Sequence, residues 1–232
     1  MTYSLAIADR AYSSWSLRGW LLFEKFGIPV TTVFARLYDS AFTDHLADFA
    51  PARSVPALRI EGGRAPIVLW DSLAIAETLA ERFPDRPYWP GDLVHRGLAR
   101  SMTAEMHAGF RALREACPMN LRRAYTGFEP SEAVTADVAR IEALWSTARA
   151  SGGGDRGPWL FGAYSVADAF FAPVAARVAT YDLPVGPEAA AYVAAHLADP
   201  AFVTWRSKGL ADPVVQPRYD KDLPERPWPG PA

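Results

Sequence analysis

The sequence predicts an α/β unit over residues 1–84 followed by an all-helical unit over 93–232. Three observations predict it. Short apolar runs alternate with helical periodicity up to Phe83. A proline-rich segment, "PDRPYWPGD" at 84–92, then marks a linker. Beyond residue 92 the strand signals stop and only helical spacing remains.

The elements follow in order. "YSLAIA" (3–8) is apolar and reads as a buried strand. From Ser14 to Phe26 apolar residues recur at helical spacing, and Gly27 suits the position just past the helix end. "VTTVFARL" (30–37) is β-branched and strand-like, and "FTDHLADFAP" (42–51) is a short helix stopped before Pro51. "ALRIE", the turn signal "GGR" and "PIVLW" predict a hairpin. Asp71 or Ser72 then caps "LAIAETLAERF". In the second unit helical periodicity covers 93–125 and 131–151, a glycine-rich loop is expected at 151–157, and a helix opens at Ser165. Two further helices fit 187–198 and 200–208. The end, "RYDKDLPERPWPGPA", is rich in proline and is not expected to pack as an element by itself.

Composition excludes several classes. With 24 basic and 26 acidic residues in 232, no basic stripe supplies the electrostatic term that nucleic-acid binding needs. No run reaches the ~18 apolar residues of a membrane span, and the N-terminus lacks the pattern of a signal peptide. A single cysteine, Cys117, excludes an internal disulfide framework and a cysteine-based zinc site. A cytoplasmic protein with an inert, buried cysteine is expected.

Three segments carry candidate chemistry. In "YSSWSLRGWLLF" Ser13 and Ser14 stand at the junction of the first strand and first helix, the edge of an α/β sheet where ligands bind. A serine there is either an N-cap or a donor to an anion. In "SVPAL" Pro56 is either a strand-entry proline or a cis Val55–Pro56 bond that presents the Val55 main chain to a ligand. In "WDS" Asp71 and Ser72 are an ordinary cap, or a carboxylate beside free helix amides that grips an α-amino acid group. No G-x-S-x-G elbow is present, and the four histidines form no pattern that marks a base. His107, between Met106 and Phe110, is the one to check against a pocket.

The order of these features resembles the cytosolic glutathione transferases to about residue 210, through "SSWSLRGW", "SVPAL", "WDSLAIAETLAERFP" and "YSVADAFFAPV". "SSWSLRGW" is most similar to the serine-type, zeta-like members, whose pattern is Ser-Ser-Cys-x-x-Arg. Trp15 stands in place of that cysteine, Gly19 where a branched aliphatic residue is usual, and Ser54 where a glutamine is frequent. The resemblance implies a thioredoxin-like N-terminal domain (βαβ-α-ββα) and a helical bundle domain. It implies a glutathione S-transferase whose co-substrate is glutathione and which uses no metal. Ser13, with Ser14 as runner-up and expected cap, would hold the glutathione thiol as its anion for conjugation to, or isomerisation of, a small hydrophobic electrophile. Val55, with Pro56 cis, would pair with the cysteinyl backbone, Asp71 and Ser72 with the γ-glutamyl end, and Arg53 with the glycyl carboxylate. Tyr12, Trp15, Met106, Phe110 and Trp205 are candidates to line the electrophile site. Ser165 and Asp168 match a capping box buried in the core. A homodimer is implied, and a non-catalytic glutathione-binding or scaffold protein is the alternative.

Overall fold

The computed structural model describes residues 1–153 and 157–231. The first unit is a four-stranded sheet in the order β2-β1-β3-β4, built from β1 (Thr2–Ile7), β2 (Thr31–Phe34), β3 (Ala57–Glu61) and β4 (Ile67–Trp70). β1 and β2 run parallel, joined by the crossover helix α1 (Ser14–Glu24), and β3 and β4 pair antiparallel as the expected hairpin. β1 is central and its inner residues Leu5, Ala6 and Ile7 are fully buried, as a strand covered on both faces requires. α2 (Phe42–His45) is only one turn and leads into a 3-10 turn at Ala47–Phe49. α3 (Ser72–Arg82) follows the hairpin and packs against α1.

The second unit comprises α4 (Leu93–Ala108), α5 (Arg111–Ala116), α6 (Glu132–Ala148), α7 (Val166–Tyr181), α8 (Pro187–Ala198) and α9 (Pro200–Ala211). The long helical run expected over 93–125 is broken. Gly109 is extended and Phe110 is left-handed (φ 57°), so the chain turns between α4 and α5. α7 is the axis of this unit, buried from Val166 to Tyr181, and it packs on α1, α4 and α8. The glycine-rich loop expected at 151–157 falls at 154–156 outside the described residues. No helix among the described residues is long and apolar enough to cross a membrane.

The proline-rich end departs from expectation, because it packs. Its β6 (Glu225–Arg226) pairs with β5 (Ala124–Tyr125), and Arg226 donates to the Ala179 carbonyl at 2.7 Å. The Arg206 guanidinium lies 4.4 Å from the Trp228 ring centroid. Composition alone hid this, since two-residue strands and stacked rings leave no periodicity.

His196 on α8 is buried against Trp159 and Tyr192, with ring centroids 5.1 and 4.5 Å away. Burial, and then Lys25, push its pKa down to about 3. The unfolded chain takes up that proton near pH 6.5 and the folded chain does not. Stability from this site is therefore complete above about pH 6.5 and falls by about 1.4 kcal/mol per unit as pH drops towards 3. His196→Phe should flatten the loss of urea resistance between pH 7 and pH 5, where wild type loses about 2 kcal/mol at this residue. Asp168, whose carboxyl is raised by burial, acts with the opposite sign in both proteins and cancels in the comparison. Equal slopes would show that His196 charges without cost.

Candidate active site between the sheet edge and the helices

A cavity of about 780 Å³ opens between the C-terminal ends of β1 and β2 and the helices α4, α5 and α7. Ser13, Ser14, Arg53 and Val55 all lie on its wall. They come from two loops, brought together because β1 and β3 are adjacent in the sheet.

Ser13, rather than the expected Ser14, is the N-cap of α1. Its backbone is extended (φ −82°, ψ 93°), and its oxygen accepts the Ser16 N–H at 3.3 Å. Ser13 Oγ donates its proton to Ser16 Oγ at 2.8 Å, and Ser16 Oγ also accepts the Ala8 N–H at 2.9 Å. The cap uses a lone pair on Ser13 Oγ and its proton goes to Ser16 Oγ, so donation to a ligand requires the hydroxyl to turn away from Ser16 while the cap stays in place. Capping and donation are therefore compatible in one serine. Ser14 is the first helical residue, and the Arg177 guanidinium approaches its hydroxyl at 3.5 Å.

Val55–Pro56 is cis, as is Ala50–Pro51. Gly19 explains its own identity here: a Cβ would lie 2.6 Å from Pro56 Cβ and 2.8 Å from Cγ. The bare α1 backbone lets the Pro56 ring sit directly on the helix. Gly19→Val should cost about 1–3 kcal/mol by overpacking and displace Val55 from the wall. Urea unfolding checks this, and an unchanged midpoint would contradict the close contact.

Asp71 caps α3 in a left-handed conformation (φ 76°), accepting the Leu73 and Ala74 N–H groups at 2.8 and 3.3 Å. Its Oδ2 lies 3.0 Å from His107 Nε2 on α4. His107, singled out for a pocket, instead ties the two units together, its ring edge-on to Trp15 at 5.2 Å. Ser72 is buried and its hydroxyl has no hydrogen-bond partner among the described residues. Pro56, Asp71 and Ser72 lie beside the cavity and do not line it.

Of the aromatic and methionine candidates, Tyr12 and Trp15 reach the wall. Met106, Phe110 and Trp205 do not: they are core, and Trp205 donates to the Arg10 carbonyl at 2.8 Å. The wall is instead strongly basic, with Arg53, Arg111, Arg114, Arg177, Arg218 and Lys221 against one carboxylate, Glu115. Arg111 pairs with Glu115 at 2.6 Å, and the other five cations make no ion pair among the described residues. Burial, and then Arg114, push Arg177 down to about 10, which leaves it charged at neutral pH. Beneath it lies Arg18, fully buried, with Nε and Nη1 unpaired. Its pKa is held well below the ordinary value by burial and then by Arg177 and Arg114, with Asp71 opposing. Trp15 sits between the Arg18 and Arg114 guanidinium groups, each 4.7 Å from its ring centroid. Cys117 is buried and its thiol is raised to about 12, as an inert cysteine requires. The basic wall was invisible in sequence because its members come from the loop before β3, from α5 and α7, and from the chain end.

Residues 12–82 match the family model described as the glutathione S-transferase N-terminal domain. Over that stretch this chain is similar to that domain. Three solved structures share the fold over most of the chain. A glutathione transferase homolog from Burkholderia GL BGR1, solved with bound glutathione, is 21% identical with a TM-score of 0.67, covering 91% of this chain and 100% of that one. Maleylacetoacetate isomerase from Anaeromyxobacter dehalogenans 2CP-1, with glutathione bound in its active site, is 23% identical with a TM-score of 0.61, covering 96% and 98%. A second structure of that isomerase holds dicarboxyethyl glutathione and citrate in the active site, at 23% identity and a TM-score of 0.59, covering 96% and 94%. No curated protein matches the chain.

Proposed function

We propose that this protein is a glutathione transferase that holds the glutathione thiol as its anion and presents it to a small, anionic electrophile. The observation that carries the reading is the Ser13–Ser14 pair at the N-terminus of α1, on the wall of a cavity shared with Val55.

The cysteinyl backbone of glutathione pairs with Val55, and its γ-glutamyl ammonium with Asp71. The unpaired Ser72 hydroxyl meets its α-carboxylate, and Arg53 its glycyl carboxylate. The thiol, with a pKa of about 8.5 in water, gives its proton to solvent. Ser13 turns its hydroxyl proton from Ser16 Oγ to the resulting sulfur anion and keeps its cap through the other side of the oxygen. Lowering the thiol pKa by two units needs about 2.7 kcal/mol. One charge-assisted hydrogen bond supplies ~1.5–3 kcal/mol and the helix N-terminus ~0.3–1 kcal/mol. Arg177 and Arg18 add positive potential on the same side. The sulfur then forms a bond to the electrophilic carbon, and the leaving group departs with its electron pair. With an activated alkene, the carbanion takes a proton from water instead. A reversible addition of this kind also supports isomerisation, the chemistry in the name of one structural neighbour.

The resemblance implies a hydrophobic electrophile. The walls favour one with an apolar body, against Tyr12, Trp15 and Phe42, and an anionic end. The homodimer and the cytoplasmic, reducing location belong to the same reading. Ile67, Trp70, Leu93 and Val94 are exposed apolar side chains that a dimer would cover, which sedimentation equilibrium measures. The test of the central reading is an ultraviolet thiolate titration of glutathione on the wild-type protein. The midpoint is expected about one to two pH units below that of free glutathione. Binding with an unshifted midpoint would leave a non-catalytic glutathione-binding protein.

A further inference from the structure

The chain after α9 crosses the cavity mouth as a strap, anchored at both ends and on both units. Gln216 Nε2 donates to the Leu37 carbonyl at 3.2 Å on the sheet side. Asn120 Nδ2 donates to Asp220 Oδ1 at 2.9 Å, and the Lys221 N–H to Tyr125 Oη at 3.1 Å, on the helical side. Between these anchors Tyr219 packs against Tyr12, with centroids 4.9 Å apart and the rings tilted by 39°, and its hydroxyl meets that of Tyr38 at 3.0 Å. The Arg218 guanidinium lies 3.6 Å from the Tyr38 ring centroid. Tyr38 is held at φ 62°, a conformation that a non-glycine residue adopts only where its surroundings enforce it. The strap thus brings three side chains to the cavity wall, Arg218, Tyr219 and Lys221. Neither of its two cations makes an ion pair among the described residues.

We propose that this strap is the specificity wall of the second-substrate site: Arg218 and Lys221 select substrates with a carboxylate remote from the reacting carbon, and the Tyr38–Tyr219 pair fixes the wall across the two units. The inference rests on the glutathione reading above. Arg114 and Arg177 lie deep, near the serines, where they favour the sulfur anion of any substrate pair. Arg218 is exposed and Lys221 half-buried, both more open than Arg177, and in this proposal the far end of a conjugate lies against them. Their charge therefore discriminates between substrates without changing how glutathione itself is held.

Calorimetric binding of three ligands tests this in wild type and in the R218Q/K221Q variant: glutathione, S-(4-carboxybenzyl)glutathione and S-(4-carbamoylbenzyl)glutathione. The last two differ only in charge at the remote end. Wild type is expected to prefer the carboxylate by about tenfold, the contribution of two partly exposed charges, and to lose much of that preference at high salt. The variant should show a preference of about twofold or less with unchanged affinity for glutathione. A preference that persists in the variant, or is absent from wild type, overturns the strap's role. Failure of all three ligands to bind overturns the glutathione reading and the strap's role together.

Discussion

Ser13→Gly should raise the pH midpoint of the bound glutathione thiol by about one to two units and lower kcat/KM near neutral pH by about 10- to 100-fold. Glycine is chosen over alanine because Ser13 also caps α1. Glycine at an N-cap costs only a few tenths of a kcal/mol, whereas alanine costs about 1 kcal/mol. The glycine variant therefore removes the donor with little loss of helix. Ser14→Ala is the comparison. It frees the Arg177 guanidinium from its hydroxyl contact and leaves the Ser13 cap intact. A midpoint that moves with Ser14→Ala and stays still with Ser13→Gly would transfer the donor role to Ser14. If neither moves it, the sulfur anion is held by the guanidinium groups alone.

Asp168→Ala should destabilise the fold by about 3–5 kcal/mol, read from urea unfolding at pH 7. The carboxylate is buried at the start of α7 and accepts four hydrogen bonds. These come from the Leu160 N–H at 3.1 Å, the Ser165 N–H at 2.8 Å, the Ser165 hydroxyl at 3.0 Å and the Tyr192 hydroxyl at 2.9 Å. Alanine strands all four donors at once, at a carboxylate with no exposed surface. Asp168→Asn keeps the shape and one acceptor, so it should recover part of the loss. Since α7 is the axis against which α1, α4 and α8 pack, loosening its first turn should also weaken glutathione binding at a distance. A loss under about 1 kcal/mol would mean that the donors find water.

Legibility in the sequence followed the range of the forces involved. Local patterns marked β1, α1, the β3–β4 hairpin and α3, because each buries a face whose spacing shows in a few residues. The Ser165–Asp168 box was legible for the same reason. The cap of α1 was misplaced by one residue, since Ser13 and Ser14 are chemically identical and only backbone dihedrals separate them. The break at Phe110 was missed because a left-handed phenylalanine is imposed by tertiary packing, not by its own preference. The site divided in the same way. Ser13, Val55 and Asp71 sit at element junctions that sequence can mark. Arg114, Arg177, Arg218 and Lys221 sit mid-helix or in the chain end, and they meet only through the fold.

The strap has a consequence for how the protein is made. Arg218, Tyr219 and Lys221 follow the end of α9 at Ala211, so they are made after the main sheet and all of the helices α1 to α9. A nascent chain released early after that point would hold its sheet and helices yet leave one side of the pocket open, able to bind the tripeptide but indiscriminate towards its reaction partner. If the strap sets specificity, selectivity would then be acquired later in synthesis than the tripeptide site.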